Sequence, residues 1–139
     1  MIWLTHSVFA FLISKLWFNE LSLTQAIFLF FASVFPDIDN KKSLIGKVFK
    51  LNIKHREIFH SLIFFLPLSY VFYIFLGEKY FVLFLIGSVS HILLDSLTKS
   101  GVRILYPMKF RIKGFFKTNS FSEYLLLFLF LILLIFFLD

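Results

Sequence analysis

The sequence predicts an all-α integral membrane protein, a bundle of about five hydrophobic helices forming one membrane-embedded domain over residues 1–139. Two observations lead there. Apolar residues fill 60% of the 139 positions, 23 of them phenylalanine, and mean hydropathy is +0.91; a soluble domain is roughly 45–50% apolar. The apolar residues also fall in runs separated by basic loops, the pattern of spans and connections. In that setting the net charge of +6 reads as loops facing anionic lipid, and no nucleic-acid partner is expected. The chain has no cysteine, which excludes disulfides and thiolate metal ligands.

The first segment runs from about Ile2 to Phe18. It has no basic stretch before it, carries Lys15 within it, and is followed by Asn19 and Glu20, so it reads as a retained helix and not as a cleaved signal peptide. The second starts near Ser22, where Ser22 and Gln25 have the form of a capping box. It stops at Phe35, because Pro36 disfavours helix at the residue before it. About 13 helical residues span ~20 Å, short of the ~30 Å hydrocarbon core. The third runs from about Glu57 to Leu76, with a kink expected at Pro67, and ends at Gly77. The fourth spans Tyr80 to about Ser100 and stops at Gly101. The fifth, Phe121 to Leu138, has Ser120 and Glu123 placed to cap its start, and otherwise reads as a plain lipid-facing span. Between these lie two loops. In Asn40–Lys54, apolar residues interleave with Lys47 and Lys50 in the manner of a short amphipathic interfacial helix. In 108–113, Met108, Phe110 and Ile112 alternate with Lys109, Arg111 and Lys113, which predicts an extended ribbon with one apolar face.

Twelve of the 14 basic residues lie in the loops between segments two and three and between segments four and five. Those loops share one side of the membrane. The positive-inside rule makes that side cytoplasmic, with the N-terminus in and the C-terminus out, in a multi-pass protein of the inner (cytoplasmic) membrane.

The polar residues inside these runs are few and converge. His91 and Asp95 are four apart and share one helix face. Ionisable groups within a span are costly in lipid and mark functional sites by default. Asp37 and Asp39 follow the cytoplasmic end of segment two, His55, Arg56, Glu57 and His60 fall at the start of segment three, and His6 lies one to two turns into segment one. At 1.5 Å per residue all sit within about 10 Å of one membrane surface. Taken singly, each has a plainer reading. A His and an Asp at this spacing often form only a local hydrogen-bonded pair, Asp-x-Asp after proline is commonly a turn, and Glu57 suits a helix start. Together, all 4 histidines and three aspartates at one depth predict a metal-site cluster near the cytoplasmic face. His91, Asp95, His60 and Asp37 are expected as primary ligands, with His6, His55 and Asp39 serving a second ion or supporting the first. A His/Asp set without cysteine suits a divalent metal, Zn²⁺ above all, and also Mn²⁺ or Fe²⁺.

These strings resemble the YdjM-like family of membrane-bound metal-dependent hydrolases. The family pattern is an early His, then P-D-I-D, H-R-G-x-T-H-S, and S/G-H-x-x-x-D-x-x-T-x-x-G-V leading to an aromatic-Pro pair. Here it reads Thr5-His6, Pro36 to Asp39, His55 to Ser61, Ser90-His91 through Asp95, Thr98 and Gly101-Val102, and Tyr106-Pro107. Glu57 stands where the family favours Gly, and Phe59 where it favours Thr. The ligand order is also similar to that of zinc-dependent phospholipases C.

The function expected is a metal-dependent hydrolase acting on a phosphate ester such as a lipid headgroup, with the lipid bilayer as its setting. Asp39 or Glu57 would accept a proton from water, and Arg56 would grip phosphate oxygens. The alternatives are a membrane scaffold with a structural metal and a proton or metal transporter. Transport is disfavoured because no acidic or histidine steps continue to the opposite face. The topology is tested by reporter fusions at Glu78 and after Asp139: both should read as outside, and a cytoplasmic signal at Glu78 would undo the common depth of the polar cluster.

Overall fold

A computed structural model describes residues 1–43, 45–49 and 56–137. Six α-helices are found among them: α1 (Trp3–Ser14), α2 (Leu23–Val34), α3 (Gly46–Phe49), α4 (Leu62–Leu76), α5 (Glu78–Ser96) and α6 (Phe121–Phe136). Two 3₁₀ turns, Phe35–Asp39 and Ile58–His60, precede α3 and α4. No strand occurs among the described residues; two isolated bridges, Thr98 with Phe116 and Val102 with Ile112, fold the loop after α5 back on itself.

The helices are shorter than the hydrophobic runs suggest. At 1.5 Å per residue α5 is about 28 Å long and α1 and α2 about 18 Å each. Among the described residues only α5 is long and apolar enough to cross a membrane, while α1, α4 and α6 are shorter apolar helices. Segment three gives way to a 3₁₀ turn at its start because Ser61, extended at φ −110° and ψ 135°, caps α4 by accepting the Ile63 N–H. Glu57 and His60 therefore lie before the helix and not in its first turn. α4 continues through Pro67. The expected Ser22–Gln25 capping box forms in both directions. α2 ends at Val34, and Pro36 lies in the 3₁₀ turn that follows. The cap expected from Ser120 is absent: its side chain makes no capping bond to α6, and donates to the Lys117 carbonyl. Of the amphipathic helix expected over Asn40–Lys54, the described part is the single turn of α3.

α5 is the axis of the bundle. It contributes Leu94 to a core with Met1, Val8, Leu127 and Phe130, Phe84 and Ile92 to one with Ala32, Phe65 and Val102, and Leu83 and Ile86 to one with Ala10 and Leu29. α1, α2 and α4 pack on it directly, and α6 packs on α1. α4 and α5 are joined by Gly77 alone, at φ 90° and ψ 179°, a conformation essentially reserved for glycine. α2 approaches α5 most closely at Gly87, where an added Cβ would meet the Ala32 Cβ at 2.6 Å and the Ser33 nitrogen at 2.8 Å. Such small-residue contacts set the packing distance between the two helices. Gly87→Val should therefore push α2 off α5 and destabilise the fold by about 1–3 kcal/mol, seen as a lower unfolding midpoint in detergent; an unchanged midpoint would show that this contact sets nothing.

Candidate metal centre

Four elements bring their polar side chains to one place at the end of the bundle where α2 and α5 finish. α1 supplies His6, the turn after α2 supplies Asp37 and Asp39, the turn before α4 supplies His60, and α5 supplies His91 and Asp95. His6, His60 and His91 have no exposed surface, and Asp95 keeps 1%. Asp37 and Asp39 are buried too. Pro36 has a direct part in this: by ending α2 short it turns the chain inward, so that both aspartates point toward the bundle.

His91 is oriented from behind. Its Nδ1 lies 2.7 Å from the Ser33 carbonyl, which can only accept, so Nδ1 carries the proton and Nε2 presents its lone pair to the cluster. The Ser33 carbonyl is free for this because Pro36, three residues on, has no N–H to form a 3₁₀ bond to it. Ser33 is itself held through its hydroxyl, 3.1 Å from the Ser7 hydroxyl and 2.7 Å from the Phe30 carbonyl. The His6 ring stacks on His91 with centroids 3.7 Å apart and planes at 8°, and His60 meets His91 edge-on at 5.3 Å.

Asp95 is the hub. Its Oδ1 lies 2.8 Å from the Met1 amino nitrogen and 3.5 Å from His6 Nε2. Its Oδ2 lies 2.8 Å from Arg56 Nη2 and 3.6 Å from His60 Nε2. Asp37 Oδ1 stands 3.8 Å from both His60 Nε2 and His91 Nε2, and Asp39 Oδ2 lies 3.7 Å from His60 Nδ1. All the histidine–carboxylate separations exceed hydrogen-bonding distance. They do fit a shared ion: donors held 2.0–2.2 Å from one tetrahedral metal lie roughly 3.3–3.6 Å apart. His6, His91 and Asp95 form one possible ligand triad and Asp37, His60 and His91 another, the ligand atoms of each within 4.8 Å of one another. Both ring nitrogens of His6 and Nε2 of His91 are buried with no hydrogen-bond partner among the described residues. An unpartnered buried polar atom is costly, and a cation between one His6 nitrogen and His91 Nε2 would satisfy those two lone pairs. The residues present fit a divalent metal.

The remaining expected site residues are placed differently. Arg56 is buried, with a left-handed backbone at φ 66°. Its N–H donates to Asp39 Oδ2 at 3.1 Å; Nη1 donates to Thr98 Oγ1 at 3.1 Å and to the Gly101 carbonyl at 3.4 Å. Glu57 accepts from Arg103 Nη1 at 2.8 Å, at the side of the cluster and not among its ligands. His55 lies outside the described residues. His6, expected in a supporting place, stands as near Asp95 as any other histidine.

Sequence reasoning assigns no role to Ser7, Ser33 or Thr98, and gives Glu123 only a place at the start of its own helix. Thr98 and Gly101 stand in the motif run but show no chemistry by type alone, and the Ser33 contribution is a backbone carbonyl. Glu123 was read as a helix-start residue of a lipid-facing span; it is fully buried and reaches across to α1.

The pattern described as "YdjM inner membrane protein" matches residues 1–138. Among named relatives, YvsG of Bacillus subtilis (strain 168) is 33% identical over 105 residues, covering 68% of this chain and 66% of that protein. Inner membrane protein YdjM of Escherichia coli (strain K12) is 35% identical over 91 residues, covering 56% of this chain and 46% of that protein, and its counterpart in Shigella flexneri matches equally. The chain thus spans less than two thirds of the length of the curated relatives it matches. No solved structure matches. With the family pattern running through every element that builds the cluster, the chain belongs to the YdjM inner membrane protein family and is a membrane protein.

Proposed function

We propose that the chain is a multi-pass bundle of the inner membrane, N-terminus in, that holds a divalent metal, zinc first among the candidates, and hydrolyses a phosphate ester at the headgroup level of the cytoplasmic leaflet. One observation carries this reading: buried nitrogens of three histidines and oxygens of Asp37 and Asp95 converge at spacings suited to ion ligation, with the His6 nitrogens and His91 Nε2 otherwise without a hydrogen-bond partner among the described residues.

His6, Asp37, His60, His91 and Asp95 would hold the ion. Since Nδ1 of His91 is committed to Ser33, His91 can ligate only one ion, through Nε2. When bound, such a metal lowers the pKa of a coordinated water toward neutrality and polarises a phosphoryl oxygen. Asp39, buried beside His60, is placed to orient that ring or to take a proton. The bonds Arg56 already makes favour positioning over substrate grip: Nη2 holds Asp95, Nη1 holds Thr98, and the backbone N–H holds Asp39. Glu57, paired with Arg103, fits the role of tying the turn before α4 to the loop after α5. A second reading, a closed structural metal site, is favoured by the complete burial of His6, His60 and His91, since structural sites leave no open position. Turnover separates the two.

Protein purified from membranes without chelator should carry a transition metal, measured by elemental analysis, and His91→Ala should remove it. Asp95→Asn should also lower stability by about 3–5 kcal/mol, because it leaves the Arg56 guanidinium buried without its counter-charge. Wild-type protein that carries no metal and gains none on titration would sink the proposal. Arg56→Lys keeps the charge but cannot reach Asp95 and Thr98 together, and should weaken metal binding or turnover by roughly 10–100-fold; a variant matching wild type in both would remove Arg56 from the site. Metal-loaded protein that cleaves no phosphate ester or phospholipid would leave the structural reading standing.

A further inference from the structure

The loop after α5 carries no acidic residue between Asp95 and Glu123, while Lys99, Arg103, Lys109, Arg111, Lys113 and Lys117 all fall within it. Its backbone is fixed. Val102 and Ile112 exchange both hydrogen bonds, at 2.9 and 3.0 Å, and Lys99 N–H donates to the Phe116 carbonyl at 2.9 Å while Phe116 N–H donates to Leu97 at 3.0 Å. Arg111 Nη1 clasps the Ser100 carbonyl at 3.0 Å. The loop is therefore a built ribbon standing on the turn Thr98–Val102, the same turn that receives Arg56. The sequence alternation suggests one apolar face, but the apolar side chains project without cover: Phe110 and Phe115 are each 72% exposed, Met108 is 59% and Leu105 is 46%. Lys109, Lys113 and Lys117 are exposed beside them.

We infer that this ribbon, residues 105–117, docks on the anionic headgroup surface of the bilayer next to the cluster. The chemistry leaves few other places for it. In open water two phenylalanines, a methionine and a leucine would stand uncovered within 11 residues of chain, and exposed apolar surface of that kind marks an interaction site. In hydrocarbon the interleaved lysines would be costly. The interface satisfies both, with apolar side chains at the acyl boundary and ammonium groups among phosphates. Basic residues without any acidic counterweight make the favoured surface a negatively charged one. A nucleic acid would also attract the lysines and could stack on Phe110 and Phe115, but it would leave the aliphatic Leu105 and Met108 uncovered. A ribbon seated this way brings phosphate headgroups to the turn that holds Arg56 and Asp95. It does so whether or not the cluster binds metal, so the inference stands apart from the hydrolase reading.

The test uses the absence of native cysteine. A nitroxide is attached at Phe110→Cys or Phe115→Cys in the full chain in nanodiscs, and its collisions with oxygen and with a water-soluble paramagnetic chelate are compared. In phosphatidylglycerol discs both labels should be shielded from the chelate and accessible to oxygen. The shielding should weaken in phosphatidylcholine discs and at high salt. Lys109→Glu, Lys113→Glu and Lys117→Glu, all at exposed positions, should each weaken it by roughly fivefold, and the three combined by more. Labels open to the chelate in both lipids would overturn the inference. So would shielding that ignores lipid charge and survives the triple reversal, or shielding that appears only when nucleic acid is added.

Discussion

A carboxylate with almost no access to solvent, on the one helix long enough to span the membrane, is the constraint the rest of the molecule answers. Asp95 can be kept there only if its charge is answered, and each oxygen has a cation at 2.8 Å, the Met1 amino group hydrogen-bonded to Oδ1 and the Arg56 guanidinium ion-paired with Oδ2. Those cations need holding in turn. Arg56 is braced by Thr98, Gly101 and Asp39, and its left-handed backbone, which costs of order 1–3 kcal/mol, is retained because so many bonds converge on it. The demands of one side chain therefore fix the start of α1, the turn before α4 and the turn after α5. The histidines occupy what remains of the same polar space.

The short helices serve that arrangement. Close contacts between small residues and hydrogen bonds decide their spacing. Ala32 against Gly87 brings α2 close enough to α5 for the Ser33 carbonyl to reach His91 at 2.7 Å, and the Ser7–Ser33 contact joins α1 to the same point. If α2 were one turn longer, Asp37 and Asp39 would be carried along the helix and would not turn inward. A helix ending at Val34 followed by a 3₁₀ turn with Pro36 as its second residue is thus part of what places the two aspartates.

Much of this is legible from residue types. Histidine and aspartate are rare enough inside apolar runs that their positions announce the cluster, and His91 and Asp95 at four-residue spacing identify the central helix. Pro36 marks where α2 must stop, and Ser22 with Gln25 marks where it starts. Three-dimensional supports leave weaker traces. A backbone carbonyl such as that of Ser33 has no residue type to reveal it, and whether Arg56 faces a substrate or Asp95 depends on a turn that hydropathy cannot place. The sequence places the start of segment three too early because Ile58 and Phe59 lie one helical turn before the apolar run of α4 and extend its pattern across His60 and Ser61. Nothing in hydrophobicity distinguishes a 3₁₀ turn from the first turn of a helix; the extended backbone of Ser61 makes that distinction.

The last helix shows how little an apolar pattern says about a helix's role. By composition α6 is a membrane anchor with one acidic residue near its start. That residue, Glu123, has no exposed surface. Its Oε1 accepts from the Ile2 N–H and from Thr5 Oγ1, and its Oε2 accepts from the Asn119 N–H. α1 has no cap of its own, since Ile2 offers no side-chain acceptor, and an uncapped helix start in an apolar setting leaves N–H groups unsatisfied. The carboxylate of α6 supplies that acceptor from across the bundle, where its charge also complements the positive end of the α1 dipole. The turn it secures holds Met1 against Asp95 and is followed at once by His6. A helix that contributes no ligand thus sets the position of one, and the cluster depends on the first and last helices of the chain meeting at Glu123.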